Sequence, residues 1–185
     1  LRYDIDDQRA WSYQAGQRRV RLAPEFAYDT PVAQMGGVMF FDEINLFAGR
    51  MDRFDFQLKG KKYMYMPYNN YRLHLLRGEP SQLLGPHHFD PDKMRYELRR
   101  VWEVEATPVP GARHMAKKKR FYLDEDSWLA LAYEGWDHSD KLFRLLLSNG
   151  LPDYAHGGIV VGSSAQGYDF SKGQDAGVRL MPVTG

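Results

Sequence analysis

The sequence predicts a mainly β protein built on one curved antiparallel sheet with few short helices. The strongest sign is the stretch from Met94 to Ala106. Met94, Tyr96, Leu98, Trp102, Val104 and Ala106 fall on one face, and Arg95, Glu97, Arg99, Glu103 and Glu105 on the other. That period of two is satisfied only by a strand. The run is well beyond the usual strand length of about 5–6 residues, so it implies a tall, curved sheet with one wet and one apolar face. The second sign is that similar segments follow it, joined by tight polar turns, and strands joined in this way are antiparallel neighbours. The third is an aromatic fraction of 14%, with 12 Tyr, 10 Phe and 4 Trp, residue types that fit a pleated surface.

Taken in order, Leu1 to Asp7 predicts a short strand. Gln8 to Leu22 predicts a hairpin, with Arg9–Tyr13 and Arg18–Leu22 flanking a turn in which Gly16 supplies positive φ; Pro24 ends the pairing. Tyr28 to Gly37 reads as loop. Phe40, Ile44 and Phe47 recur at helical spacing and predict a short helix that stops near Gly49. Phe54–Leu58 and Lys62–Met66 each alternate and predict a second hairpin turning at Gly60-Lys61. Pro67 to Pro91 is a long connection, of the kind that is usually functional or mobile, with one helical turn at Ser81–Leu84. After the long strand, Pro108–Gly111 turns and Lys117–Leu123 returns. Asp124–Ser127 turns, Trp128–Trp136 runs back, Asp137–Asp140 turns, and Lys141–Leu147 follows. Residues 150–185 are rich in Gly and polar side chains and are expected to be mostly irregular.

Composition narrows the function. The 185 residues suit a single β-rich domain. Lys and Arg number 25 against 24 Asp and Glu, a net charge of +1. That balance argues against nucleic acid as the main partner, since no basic excess is available for phosphates. There is no cysteine, which removes disulfides, thiolate metal sites and cysteine nucleophiles. No segment reaches the roughly 18 consecutive apolar residues of a transmembrane helix, and no signal peptide is present in the sequence. The chain begins at Leu1 and enters a strand pattern almost at once, as expected of a trimmed or partial chain whose earlier part held any targeting signal.

Several long motifs resemble one known family. They are Trp11-Ser12-Tyr13-Gln14-Ala15-Gly16-Gln17-Arg18-Arg19-Val20-Arg21-Leu22-Ala23-Pro24, Tyr28-Asp29-Thr30-Pro31, Met66-Pro67-Tyr68-Asn69-Asn70-Tyr71, Arg95-Tyr96-Glu97-Leu98-Arg99-Arg100-Val101-Trp102 and Arg120-Phe121-Tyr122-Leu123-Asp124-Glu125-Asp126-Ser127-Trp128. They are similar to an uncharacterised family of Gram-negative envelope proteins, domain of unknown function 1329, often described as outer-membrane lipoprotein-sorting-like. The resemblance covers the chain from about Trp11 to Asn149. It implies a periplasmic protein of which this chain is the C-terminal part. It also implies a fold like that of the lipoprotein carriers LolA and LolB, an antiparallel sheet bent into an open half-barrel with an apolar cavity for acyl chains. It brings no catalytic or binding residues.

The first candidate site is the apolar face. Tyr96, Leu98, Trp102, Val104, Phe121 and Leu123 share one side by parity, and Arg100 falls among them. On the next strand either Leu129, Leu131 and Tyr133, or Trp128, Ala130, Ala132 and Trp136, join them. Tyr96, Leu98, Arg100, Trp102, Val104, Phe121, Leu123, Leu131 and Tyr133 are therefore the expected lining for a hydrophobic ligand, such as a lipid or a lipoprotein acyl chain. Mostly apolar pockets with a few polar anchors are typical of such sites. The ordinary alternative is a core under a helix, since every sheet must bury its apolar face. Arg100 needs a partner there, either a ligand carboxylate or phosphate or a covering helix. The basic series Arg18, Arg19, Arg21 and Lys117–Arg120 reads as a solvated face opposite Glu97, Glu103 and Glu105 rather than a headgroup site. His87-His88-Phe89-Asp90-Pro91-Asp92 lacks the spacing of a zinc site, and Asp124-Glu125-Asp126 lacks the pattern of a calcium loop. No nucleophile elbow, P-loop or H-E-x-x-H occurs, and Gly157-Gly158 precedes the Ile159–Val161 run instead of following a strand into a helix. The expected function is a non-enzymatic periplasmic carrier or binding protein without cofactor. An interaction module or scaffold of an envelope complex, binding a protein partner, is the alternative.

Overall fold

The computed structural model describes residues 10–14, 16, 18–23, 28–32, 35–75 and 88–179. The expected strand at Leu1–Asp7 and the turn at Ser81–Leu84 lie outside them. Strands β1 (Ala10–Gln14) and β2 (Arg19–Ala23) pair as the predicted hairpin and form a sheet of their own. The other strands are β3 (Phe54–Pro67), β4 (Tyr96–Pro108), β5 (Lys118–Asp124), β6 (Ala130–Trp136), β7 (Leu142–Asp153), β8 (Ile159–Asp169) and β9 (Gln174–Arg179). They make one seven-stranded sheet in sequence order, each strand antiparallel to the next. The chain is thus mainly β, as expected.

Two expectations fail for identifiable reasons. Phe54–Met66 is not a hairpin but most of a single strand of 14 residues. Gly60, at φ 127°, makes a bulge instead of a turn, shifting the register between Leu58 and Gly60. The strand then continues opposite β4 from Phe54↔Pro108 to Pro67↔Tyr96, so the tall strand has an equally tall neighbour. Residues 150–179 are not irregular, since β7 runs on to Asp153 and β8 and β9 follow. Several glycines of this stretch lie in ladders, Gly150 opposite Gly162 and Gly167 opposite Leu146.

The sheet buries both faces. One carries Ala106, Phe121, Tyr133 and Leu146, packed with Phe54 under Met39 and Leu46. The other was expected to be wet, yet Met66, Tyr68, Val101, Tyr122, Leu131 and Ala132 are buried there. The cause is a curl. Beyond β3 the chain turns inward, Tyr68 forms a parallel bridge to Gly150 of β7, and α1 (Tyr71–Leu75) follows. A Cβ at Gly150 would stand 2.7 Å from the Tyr68 ring, so the approach requires glycine. The segment predicted as a Phe40–Phe47 helix is a 3₁₀ stretch, Phe41–Leu46, broken at Ile44 (ψ 131°) and Asn45 (φ 54°).

Candidate functional site

Register defines the apolar face. Across the β3–β4 pair, Phe56 opposes Ala106, Leu58 opposes Val104, Tyr63 opposes Arg100 and Tyr65 opposes Leu98. Trp102 opposes Leu123, Val104 opposes Phe121, and Phe121 opposes Tyr133. Directly opposed residues share a face, so these side chains form one surface with two different halves.

One half is closed by residues 35–47. Phe47 packs edge-on against Phe54, Phe56 and Phe121 at 5.7–6.1 Å. Beside this apolar cap lies a sealed set of charges. Asp42 Oδ2 accepts from His114 Nε2 at 2.9 Å and from Lys119 Nζ. The Ala116 amide donates to His114 Nδ1 at 2.8 Å, so the imidazole hydrogen sits on Nε2. Glu43 Oε2 accepts from the Phe40 amide at 2.7 Å and from Arg144 at 3.0 Å, and Glu43 Oε1 accepts from the Tyr133 hydroxyl at 2.9 Å. Arg144 also reaches the Val38 carbonyl, and Asp169 at 3.1 Å. All these charged side chains are buried. Burial pushes the Glu43 carboxyl up, against the pull of Arg144 and Lys119. Burial also pushes Asp42 up, but the His114 hydrogen bond and the Lys119 charge outweigh it and hold Asp42 below the usual carboxylate range. Tyr133 is driven well above an ordinary phenol by burial and by Glu43. These shifts belong to groups shut off from solvent, so their role is to pin the 35–47 segment to β5, β6 and β7.

The other half is open. Leu58, Tyr63, Tyr65 and Leu98 are each more than half exposed, and Tyr96 is 40% exposed. Trp102 borders them, stacked on Trp128 at 6.2 Å with Lys61 4.1 Å above its ring. Arg100 finds its partner in Glu125, which also pairs with Lys61. A paired charge group therefore interrupts the strip between Tyr63 and Leu58, and no covering helix reaches Arg100 among the described residues.

The predicted lining thus divides. Tyr96, Leu98 and Arg100 are exposed on the open half; Trp102, Val104 and Leu123 are half-buried at its border; Phe121 and Tyr133 are buried in the closed half. Leu131 does not join them. The register shifts between Tyr122 and Leu123, and this bulge places Leu131 with the core of the opposite face while Tyr133 stays on this one. Neither of the two alternations considered for this strand is therefore correct. Sequence reasoning missed Leu58, Tyr63 and Tyr65, which were assigned to a separate hairpin, although Tyr63 and Tyr65 did show alternation.

The basic series also divides. Arg120 pairs with Glu103 and Glu105 at 3.0 Å, as expected of a solvated face. Lys119 does not: it is fully buried against Asp42. Asp124, expected in an exposed turn, is buried and accepts two bonds from Arg99 at 2.9 and 3.1 Å. His87 lies outside the described residues and His88 is exposed. Among the described residues no group of three or more acidic or histidine side chains is placed to hold a metal, and no helix is long and apolar enough to cross a membrane.

Comparison with known proteins by sequence and by structure gives the following matches. Residues 2–179 match the family described as protein of unknown function DUF1329. An uncharacterized protein of Pseudomonas aeruginosa, PA3922, is 43% identical over 136 residues, 74% of this chain and 30% of the relative. A DUF1329 family protein from Desulfovibrio piger superposes with TM-score 0.59 at 15% identity, over 94% of this chain and 57% of that one. A domain from Vibrio parahaemolyticus named for outer membrane lipoprotein sorting superposes with TM-score 0.59 at 12% identity, over 95% and 58%. The chain therefore spans less than a third of the curated relative and under three fifths of each of these two structures.

Proposed function

Since the chain belongs to the DUF1329 family, we propose that it is the β-rich C-terminal part of a non-enzymatic envelope protein that holds a hydrophobic molecule. The observation that carries this reading is the open half of the apolar face. Tyr63, Tyr65, Tyr96 and Leu98 lie side by side and exposed, with Leu58 beyond Lys61, and contiguous apolar surface of this kind marks binding sites. Burying it drives binding at about 25 cal/mol per Å². Arg100 and Lys61, paired through Glu125 beside Tyr63, supply polar groups for orienting an acyl headgroup. The Vibrio domain is named for outer membrane lipoprotein sorting, and a lipoprotein acyl chain is a hydrophobic molecule of the kind proposed here. A second reading has one observation in its favour: the strip runs along β3, an edge strand of the sheet among the described residues, and edges recruit protein partners.

The test is native mass spectrometry and lipid extraction of the full-length protein from an envelope fraction, followed by titration with a fluorescent fatty acid. Co-purifying apolar material and probe uptake, both lost in a folded Leu98→Asp variant, are expected. A clean apo mass with no uptake would discard the carrier reading in favour of protein docking.

A further inference from the structure

Glu97 and Arg99 point away from the apolar strip, because they alternate with Leu98 along β4. On that side a cleft of about 550 Å³ opens where the chain leaves β3 and crosses toward the end of β7. Asn69, Glu97 and Arg99 form one wall, and Tyr154 stands on the other.

Asn69 ties the walls together. Its Nδ2 donates to Glu97 Oε1 at 2.6 Å, and its Oδ1 accepts from the Tyr154 hydroxyl at 3.0 Å. Asn69 holds φ 55°, a conformation that costs a non-glycine residue free energy and that clusters at ligand sites. Glu97 Oε1 also meets Arg95 at 2.9 Å, which leaves Oε2 without a partner among the described residues. The Arg99 guanidinium lies 4.2 Å over the Tyr68 ring and binds Asp124 and, at 2.7 Å, Asp126. Tyr154 is 69% exposed, with its ring stacked on Tyr71 at 6.3 Å and 26°. Gly157 and Gly158 finish the rim and leave open space where side chains would stand.

The chemistry of these walls selects a ligand class. An acyl chain finds little apolar wall here. An anion meets Glu97 and Asp126, while the cation of the lining, Arg99, is already neutralised by Asp124 and Asp126. The capacity left over in these walls, one Asn69 amide hydrogen, Glu97 Oε2 and the exposed Asp126 carboxylate, suits the hydroxyls of a sugar. A broad exposed tyrosine face accepts the C–H face of a ring. The volume lies within the roughly 300–1,000 Å³ usual for small-molecule sites. We infer that this cleft binds a neutral pyranoside unit of a glycan, independently of the apolar strip across the sheet.

The test is saturation-transfer NMR and calorimetry on the full-length protein with cellobiose, maltose and chitobiose, and with glucuronate as the anionic counterpart. At least one neutral disaccharide should bind with contacts to its C–H protons, and glucuronate should not. Tyr154→Ala, an exposed site whose fold is checked by circular dichroism, should weaken binding about tenfold or more, the scale of losing an aromatic contact and its hydroxyl. Glu97→Gln should weaken it as well, and Tyr65→Ala on the other face should not. The inference is overturned if none of the three disaccharides binds, if glucuronate binds in their place, or if Tyr154→Ala binds like the parent protein.

Discussion

Arg144→Met is the sharpest probe of how the 35–47 segment is held. Methionine fills much of the arginine volume, so the perturbation is chiefly one of charge and hydrogen bonding. Arg144 bonds the Val38 carbonyl, Glu43 at 3.0 Å and Asp169 at 3.1 Å. Its removal leaves Glu43 with only the Phe40 amide and the Tyr133 hydroxyl, and Asp169 with Ser171, the Lys172 amide at 3.2 Å and the distant Lys172 ammonium at 3.8 Å. Breaking a buried pair from one side costs about 3–5 kcal/mol. For a chain of this size that is a fall in Tm of roughly 6–20 °C. The assay is urea and thermal unfolding followed by near-ultraviolet circular dichroism. The loss should also depend on pH. Burial already raises the Glu43 pKa, and Arg144 opposes that rise; without Arg144 it climbs further. A carboxyl whose folded pKa lies above its unfolded value destabilises the fold as pH rises through that window, so the deficit should be larger at high pH and shrink on acidification. A loss under about 1 kcal/mol at neutral pH, or one independent of pH, would refute the assignment of Arg144 as the central cation of this set.

Three further outcomes follow from particular contacts. Gly150→Ala should cost about 1–3 kcal/mol in urea unfolding, because the new Cβ meets the Tyr68 ring at 2.7 and 2.9 Å. Leu98→Asp, at a position 57% exposed, should change stability by no more than about 0.5 kcal/mol while reducing fatty-acid probe uptake. Asp42 has a lowered pKa, so its contribution is present above the unfolded carboxylate value and lost as pH falls through the folded one; Asp42→Asn should flatten the acid limb of a stability–pH profile measured by thermal unfolding.

The legible part of this fold is the part where side chains alternate and turns are polar. β4 to β7 were readable because Tyr96 to Ala106 and Phe121 to Leu123 keep period two and because Asp124–Ser127 and Asp137–Asp140 are ordinary turns. β3 was misread because Gly60-Lys61 has the chemistry of a turn, and only the height of β4 reveals that the strand passes through it. β8 and β9 were missed because glycine and serine carry no alternating signal; their pairing is imposed by β7. The candidate lining was legible as a face but not as a site, since Phe121 and Tyr133 on that face are covered by a segment from elsewhere in the chain. Lys119 alternates with Phe121 and Leu123, so its parity already placed a charge on the apolar side, as it did for Arg100. Sequence does not distinguish the two: one is sealed against Asp42, and the other stays at the surface with Glu125.

The way the 35–47 segment is fastened also orders the folding of the chain. The strands of the sheet each pair with a sequence neighbour, so apart from the long β3–β4 connection they form by closing short loops. Asp42, Glu43 and Val38 instead find their partners 72 to 106 residues away, on His114, Lys119, Tyr133 and Arg144. Those partners are brought together only by the meander itself, and closure over such distances carries the larger entropy cost. The segment therefore docks after the sheet. In refolding kinetics its arrival is expected as a late step, and until then the apolar face it covers would lie open to hydrophobic molecules.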